Sequence, residues 1–394
     1  MTKTESRHLL NILAEVPDPR NAKGKRHPLF AILALAVIAI MCGYRSYSAI
    51  AQWGRTYAPA LVQALGFTHA KTPCAATLHN LFKRLDIAKL EAVLSQWVVQ
   101  TLESLPTTSP RLAVAIDGKM LKGSAKQQAK VNHLLSVVSH QLGVTITQKA
   151  VDTQTNEIPI STEILSAFDL RGKVVTTDSL LTQRHFCQKV CALGGDYVVP
   201  VGLNQKQLHQ DISSLFTPPM EINTAQGTHN MLQQMHQELD QTLDTYQTVE
   251  KGHGRIETRQ LTATTALNDY VQWPGVEQVF ECSYERIEVS TGQVKQKTQY
   301  GITSLRPTEA SAKDLLELRR GHWTIENKSH WVRDVVLGED ASQVRCGVIP
   351  QVMSALRNTA LAVLRFADCP SVSKAMRYFA AHPQHALNLI NGKN

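Results

Sequence analysis

The sequence predicts an α/β protein in which a mixed β-sheet core follows an all-helical N-terminal domain. Two observations predict this class. Residues 28–104 carry apolar positions at helical spacing, whereas residues 111–216 alternate short β-branched runs with helical stretches. Such alternation is typical of a sheet that is covered by helices. At 394 residues, of which 43% are apolar and 19% charged, the chain is long enough for more than one domain.

Charge, cysteine content and hydropathy indicate which partners, metal sites and cellular location the protein can have. The net charge of +8 suits a polyanionic partner without identifying one. Seven scattered cysteines without a CxxC pair indicate buried, reduced thiols rather than a zinc site. The most apolar run, Leu29–Cys42, has 14 residues, fewer than the ~20 that a membrane span needs. These features predict a cytoplasmic protein without a membrane segment, in which the apolar run is a buried helix.

The N-terminal part is predicted to comprise a basic arm at residues 1–27 and a helical domain at residues 28–104. The arm can follow a phosphate backbone, where each neutralised phosphate releases counterions. A solvated linker fits the same segment equally well. Residues 72–85 match a helix-turn-helix DNA reader, and they match many helical hairpins as well. Helices are expected at residues 29–42, 45–53, 77–85 and 87–102.

The order of elements in residues 111–216 predicts the topology of the sheet. Three strands in hairpin succession are followed by helix, strand, helix, strand and helix, which is the order of a ribonuclease-H-like mixed sheet. In such a sheet the first and fourth strands lie side by side. The strands are expected at residues 113–116, 134–140, 145–151, 173–177 and 196–201, with helices at 161–168, 182–192 and 205–216.

The rest of the chain is predicted to interrupt this core and then complete it. Residues 217–305 read as a β-rich insertion, with a polar helix at 226–243 and strands at 255–264, 276–288 and 296–302. Residues 306–370 return to the core as helices, at 309–338 and 350–366. Residues 371–394 form a small helical tail.

Two of the predicted strands end in an aspartate. Asp117 follows the first strand and Asp178 follows the fourth, so adjacent strands would make them neighbours. A third acid, Glu326, lies in the predicted helix at 309–338. Mg²⁺ and Mn²⁺ prefer hard oxygen ligands, and two strand-end aspartates with a helical glutamate supply them for two cations. Taken alone, the Asp117-Gly118 pair also fits an ordinary turn.

Cationic and polar side chains near these acids are predicted to contact DNA. On an ideal helix, one face carries Arg319, His322, Glu326, His330 and Arg333, although an ion-paired surface helix gives the same pattern. Other predicted contacts flank the first acid or follow the fifth strand: Lys119, Lys122, Asn204 and Gln205. The two tryptophans of the predicted helix, Trp323 and Trp331, are expected in the core.

A further set of contacts is predicted in the insertion. Alternation within residues 251–259 places His253, Arg255 and Arg259 on one side of a strand, where they are predicted to contact a DNA end. The alternative is a salt-bridged strand in which Glu257 pairs both arginines.

An ordered set of motifs carries a family resemblance over nearly the full chain: Asp18–Arg20, Gly24–Pro28, Cys42–Gly43, Arg45–Tyr47, Ala115–Lys119, Gly194–Tyr197, Asn204–Gln205, Lys251–Arg259, His322–Asn327, His330–Trp331 and Glu339–Ser342. The chain resembles the H-repeat-associated proteins and their insertion-sequence relatives, which are bacterial transposases of the DDE superfamily. Relatives often carry a Tyr-Arg-Glu-Lys signature around the third acid. In that register His322 replaces the Arg and Arg333 replaces the Lys.

The resemblance implies a ribonuclease-H-like core with a triad of Asp117, Asp178 and Glu326. It implies two Mg²⁺ or Mn²⁺ ions per active site, one held between the two aspartates and one by Asp117 and Glu326. The expected activity is cleavage at element ends and strand transfer into target DNA. The expected partner is double-stranded DNA, both terminal inverted repeats and target, bound by a homodimer because two ends are synapsed. The expected location is the bacterial cytoplasm, at the nucleoid. The alternatives are a transposition-inactive DNA-binding remnant and a metal-dependent nuclease that does not join strands.

Overall fold

The computed structural model describes residues 8–106, 111–121, 133–151, 157–217 and 242–392. The chain divides into two compact units. We call one the helical unit; it comprises Met1–Thr108, Gly118–Asn156 and Thr324–Asn394. We call the other the sheet unit; it comprises Ser109–Asp117 and Glu157–Trp323. The N-terminal helical region and the C-terminal helices therefore belong to one unit, a grouping that the sequence-based division did not contain.

The strands, in chain order, are β1 (Leu112–Met120), β2 (His133–Ser139), β3 (Thr145–Val151), β4 (Lys173–Thr176), β5 (Asp196–Val201), β6 (Asp244–Gly252), β7 (Arg255–Thr264), β8 (Gln278–Glu288) and β9 (Val294–Thr303). The helices are α1 (Leu9–Ala14), α2 (Leu29–Met41), α3 (Tyr47–Thr56), α4 (Ala58–Ala64), α5 (Ala75–Phe82), α6 (Ile87–Ser104), α7 (Glu157–Leu165), α8 (Arg184–Ala192), α9 (Lys206–Phe216), α10 (Ala312–His322), α11 (Ile349–Phe366), α12 (Val372–Ala381) and α13 (Pro383–Ile390).

The strands of the sheet unit form a mixed sheet in the order β1-β4-β5-β9-β8-β7-β6. β1, β4 and β5 run parallel, which confirms that the first and fourth strands of the core are neighbours. β9 then pairs antiparallel with β5, so the strands predicted as an insertion extend the core sheet directly. The backbone of β9 pairs with that of β5, which would otherwise be an edge strand.

Helix α10 covers one face of this sheet. It begins with a capping box, in which Ser311 and Asp314 each accept from the other's backbone N–H. Its apolar face, Ala312, Leu315 and Leu316, packs in a buried cluster with residues of β4, β5, β7 and β8. This packing sets α10 against the strands at the point where β4 ends.

The helical unit is organised around α2. Its apolar residues face all directions, and 12 of its 13 residues are buried, as predicted for this run. Helices α1, α3, α11, α12 and α13 pack around it, and the β2–β3 hairpin packs against α6 through β3. No helix within the described residues is long and apolar enough to cross a membrane.

Several elements differ from the sequence expectations, and one expected helix lies outside the described residues. Strand β6 and helix α4 were not predicted. The predicted helix at 309–338 is α-helical only to His322; Ile325–His330 and Val332–Val336 are π-helical segments. A π-turn holds an extra residue, so side chains no longer follow the 3.6-residue period. The polar helix predicted at 226–243 falls almost entirely outside the described residues.

Candidate active site

Asp117 and Asp178 lie on neighbouring parallel strands, just beyond the residues over which the two strands pair. Asp178 follows the end of β4, whereas Asp117 lies within β1, which continues to Met120 and does not end at residue 116 as predicted. The register pairs Ala115 of β1 with Thr176 of β4, and each aspartate lies two residues beyond that pair. Both side chains are partly buried. Within the sheet unit, the fold therefore gives two aspartates that are far apart in the sequence equivalent positions on neighbouring chain segments. Hard oxygen ligands at one sheet edge fit a divalent cation.

The carboxylate of Asp178 is fixed by the loop that it begins. Its Oδ1 accepts a hydrogen bond from the N–H of Leu181 at 3.2 Å. Burial raises the pKa of Asp178 above its usual value, and the neighbouring Glu157 carboxylate raises it further, while Arg319 acts in the opposite direction. A buried carboxylate next to another acid is stabilised in its charged form when a cation binds. The donor set and its electrostatics therefore fit the metal that the resemblance implies.

Arg319 and His322 of α10 contact the end of β4 beside Asp178. Nη1 of Arg319 donates to the carbonyl of Thr177 at 3.3 Å. Nδ1 of His322 lies 3.1 Å from Oγ1 of Thr176. The capped, docked start of α10 explains why these two side chains reach the strand end. Both predicted DNA contacts are thus held at the end of β4, and Arg319 acts on the Asp178 carboxylate. Their role toward DNA stays a prediction.

Asn204 and Gln205, also predicted to contact DNA, hydrogen-bond to the loop after Asp178. Nδ2 of Asn204 donates to the carbonyl of Ser179 at 2.8 Å. Nε2 of Gln205 donates to the carbonyl of Thr182 at 3.1 Å and to Oε1 of Gln183 at 3.0 Å. Sequence reasoning had given Thr182 and Gln183 no role. The signal that could have found them is their place in a loop that begins at a candidate ligand.

The third acid, Glu326, belongs to the helical unit and is exposed on the first π-helical segment. His330 ends the same segment and is partly buried. The one-face pattern assumed an ideal α-helix, which this segment is not. The placement of Glu326 in the triad therefore rests on the sequence resemblance.

Lys119 and Arg333 do not have the exposed positions that phosphate ligands need. They lie with Arg357 and Glu339 in a buried ion cluster, whose four side chains are at most 4% exposed. Glu339 is 2.8 Å from Arg333, 3.4 Å from Arg357 and 3.7 Å from Lys119. Lys119 also pairs with Asp334. Buried charges remain only when paired, so these residues are structural in this conformation, in contrast to the prediction for Lys119 and Arg333.

The β6–β7 hairpin shows the salt-bridged arrangement that was the alternative to DNA contact. His253 lies in the turn, with φ of 48°, and not on the strand face. Arg255 and Glu257 are 2.6 Å apart, and Glu257 also pairs with Arg259. Arg259 is in addition 3.1 Å from Glu250. DNA contact by His253, Arg255 and Arg259 remains a prediction, and the two arginines would have to leave their glutamate partners to make it.

The remaining predicted features have mixed outcomes. Lys122 lies outside the described residues. Trp323 and Trp331 are 60% and 55% exposed, so the expectation that they belong to the core was wrong.

The basic arm folds back on itself, because Arg20 is 2.9 Å from Asp18 and donates to the carbonyl of His27. Within the described residues, no group of three or more His, Cys, Asp or Glu is arranged to hold a metal.

Two aspartates at equivalent positions of neighbouring parallel strands define a candidate cation site in a mixed α/β sheet. The chain belongs to the family described as "Transposase DDE domain", which matches residues 108–362. A family described as "DDE_Tnp_1-associated" matches residues 10–98.

Curated relatives support the same membership. The chain is 27% identical to "Putative protein YbfL" and 26% identical to "H repeat-associated putative transposase YhhI", both from Escherichia coli K12, over 91% of each chain. It is 31% identical to an "Uncharacterized protein in dhlA 3'region" of Xanthobacter autotrophicus, over 73% of this chain and 92% of that one. These similarities confirm the resemblance found in the sequence.

A solved structure is also similar, at a much greater distance. It is titled "Cryo-EM structure of piggyBac transposase synaptic complex with hairpin DNA (SNHP)". The similarity covers 97% of this chain and 76% of that one, with 10% identity and a TM-score of 0.41. Residue roles cannot be transferred over that distance.

Proposed function

We propose that the protein cleaves DNA at the ends of an insertion sequence and joins those ends to target DNA, in a ribonuclease-H-like site formed by Asp117, Asp178 and Glu326. The observation that supports the proposal is the register of β1 and β4: Ala115 pairs with Thr176, and an aspartate follows two residues later on each chain segment, in a chain of the transposase family. Glu326 enters from the sequence resemblance alone.

Asp117 and Asp178 would hold a divalent cation, Mg²⁺ or Mn²⁺, with Glu326 contributing to a second ion. When bound, such ions activate a water or a 3′-hydroxyl and stabilise the leaving oxygen of a phosphodiester. The chain's own contribution is to fix the ligands. Leu181 orients the Asp178 carboxylate through its N–H, and Arg319 lies close enough to Asp178 to lower its pKa. Arg319 and His322, from one turn of α10, hold the strand end that carries this ligand.

DNA would be bound by surfaces around this site. The basic N-terminal region and helices α5 and α6 are the proposed duplex-binding part, with His253, Arg255, Arg259 and His330 as further contacts. Two element ends would be held by a homodimer. Lys119 and Arg333 are left out of this set because their charges are neutralised in the buried cluster.

The test is cleavage and strand transfer on a labelled duplex that carries the flanking repeat, with Mg²⁺ or Mn²⁺. Wild type is compared with Asp178→Ala and with Asp211→Ala, a partly exposed acid on α9 that serves as the matched control. We expect joined products from wild type and Asp211→Ala only. DNA binding without cleavage, equal in all three proteins, would instead indicate a transposition-inactive remnant. Nicking without joining would indicate a metal-dependent nuclease.

A further inference from the structure

The loop from Asp178 to Gln183 is fastened to the end of β5 and to the short 3₁₀ turn that follows it. Oγ1 of Thr182, which is fully buried, donates to the carbonyl of Pro200 at 2.7 Å. Asn204 and Gln205 donate to the carbonyls of Ser179 and Thr182, as described above. Ser179, Thr182 and Gln183 of the loop are therefore held from the β5 side.

The backbone approach at this point is also very close. A Cβ atom at Gly202 would lie 2.9 Å from the Cβ of Ser179, closer than real side chains come. Glycine at 202 therefore lets the loop pack directly on the chain that leaves β5. The hydrogen bonds and the close contact at Gly202 all fall on residues 179–183.

We infer that Asn204 and Gln205 are positioning residues that hold the Asp178 carboxylate in place for metal binding, and that they do not act as phosphate ligands. The inference rests on the proposed role of Asp178 as a metal ligand. The side-chain N–H groups of both residues are directed at loop carbonyls and at Gln183, although donors to a phosphate would have to point at the DNA. Partners that orient a ligand commonly control metal affinity about 10- to 100-fold.

The two roles predict opposite results for metal and DNA binding. If Gln205 positions Asp178, Gln205→Ala should weaken Mn²⁺ binding by the DNA-free protein about tenfold. The Kd for element-end DNA, measured in EDTA, should remain within about twofold. A phosphate ligand would give the reverse: a weaker Kd for DNA and an unchanged affinity for Mn²⁺.

Three further variants make the assignment specific. Gly202→Ala removes no polar group but pushes the loop away, so it should weaken Mn²⁺ binding as Gln205→Ala does. Gln207→Ala, on the first turn of α9, loses an exposed hydrogen bond to Asp211 and should leave Mn²⁺ binding unchanged. The double variant Gln183→Ala with Gln205→Ala should be less than additive, because these side chains share a hydrogen bond.

The measurement is Mn²⁺ titration of the DNA-free protein by electron paramagnetic resonance, at a temperature where circular dichroism shows each variant folded. Asp178→Asn is included to separate two failures. Loss of Mn²⁺ binding in Asp178→Asn but not in Gln205→Ala overturns the positioning role and leaves the proposed function standing. Unchanged Mn²⁺ binding in Asp178→Asn overturns the metal site itself, and the positioning role with it.

Discussion

Replacing Glu339 by glutamine should strongly destabilise the helical unit. Glu339 is 3% exposed and lies within 4 Å of Lys119, Arg333 and Arg357. With Asp334, which pairs with Lys119, the cluster holds three cations and two carboxylates. Glu339→Gln leaves the three cations facing one carboxylate. Removing one partner of a buried ion pair costs about 3–5 kcal/mol, a large part of the ~5–15 kcal/mol that stabilises a domain.

Urea unfolding followed by tryptophan fluorescence measures this cost. Because the unfolding free energy falls by about 3 kcal/mol per molar urea, the transition midpoint of Glu339→Gln should fall by at least about 1 M. The control is Glu317→Gln, an exposed glutamate on α10, which should change the unfolding free energy by less than ~0.5 kcal/mol. If Glu339→Gln is no more destabilising than the control, the cluster is not structural, and Lys119 and Arg333 return as candidates for phosphate binding.

Three further predictions follow from burial and backbone geometry. Burial raises the pKa of Glu91 to about 7, so its contribution to stability should be lost as pH rises from 4.5 through 7. Glu91→Gln should therefore reduce the pH dependence of the unfolding free energy, measured with urea, between pH 5 and 8. The pKa of Asp178 is raised by burial, so Asp178→Asn should melt higher than wild type at pH 7 in EDTA, with a smaller difference near pH 4. Gly143 and Gly172 both have positive φ, but only at Gly143 would a Cβ meet Lys328, at 2.5 Å. Gly172→Ala should therefore cost about 1–2 kcal/mol in urea unfolding, and Gly143→Ala clearly more; equal costs would contradict the packing at Gly143.

The core of the sheet was predictable because its signals are local and agree with one another. The strand at Asp196–Val201 matches the prediction residue for residue, and that at Lys173–Thr176 ends one residue earlier. Their β-branched runs are bounded by turn residues, and the order of elements permits few topologies. The neighbouring positions of Asp117 and Asp178 followed from that order alone.

Side-chain environments were less predictable because they depend on partners distant in sequence. Arg333 was placed on an exposed face by ideal helical spacing, but the helix there is π-helical and its partner Glu339 comes from the following turn. Lys119 pairs with a residue 215 positions away. Trp323 and Trp331 were assigned to the core by residue type, yet nothing local specifies which side of a π-helical segment faces solvent.

The proposed metal site at Asp117 and Asp178 is tested most directly by locating the bound metal on the polypeptide. Fe²⁺ replaces Mg²⁺ in the protein, and peroxide with ascorbate then generates hydroxyl radicals that cut the chain next to the bound ion. We expect peptide breaks near residues 117 and 178, and near 326 if Glu326 completes the triad. All of them should be lost in Asp178→Asn and on addition of excess Mg²⁺. Breaks elsewhere, or breaks that persist in Asp178→Asn, would contradict a metal site at Asp117 and Asp178.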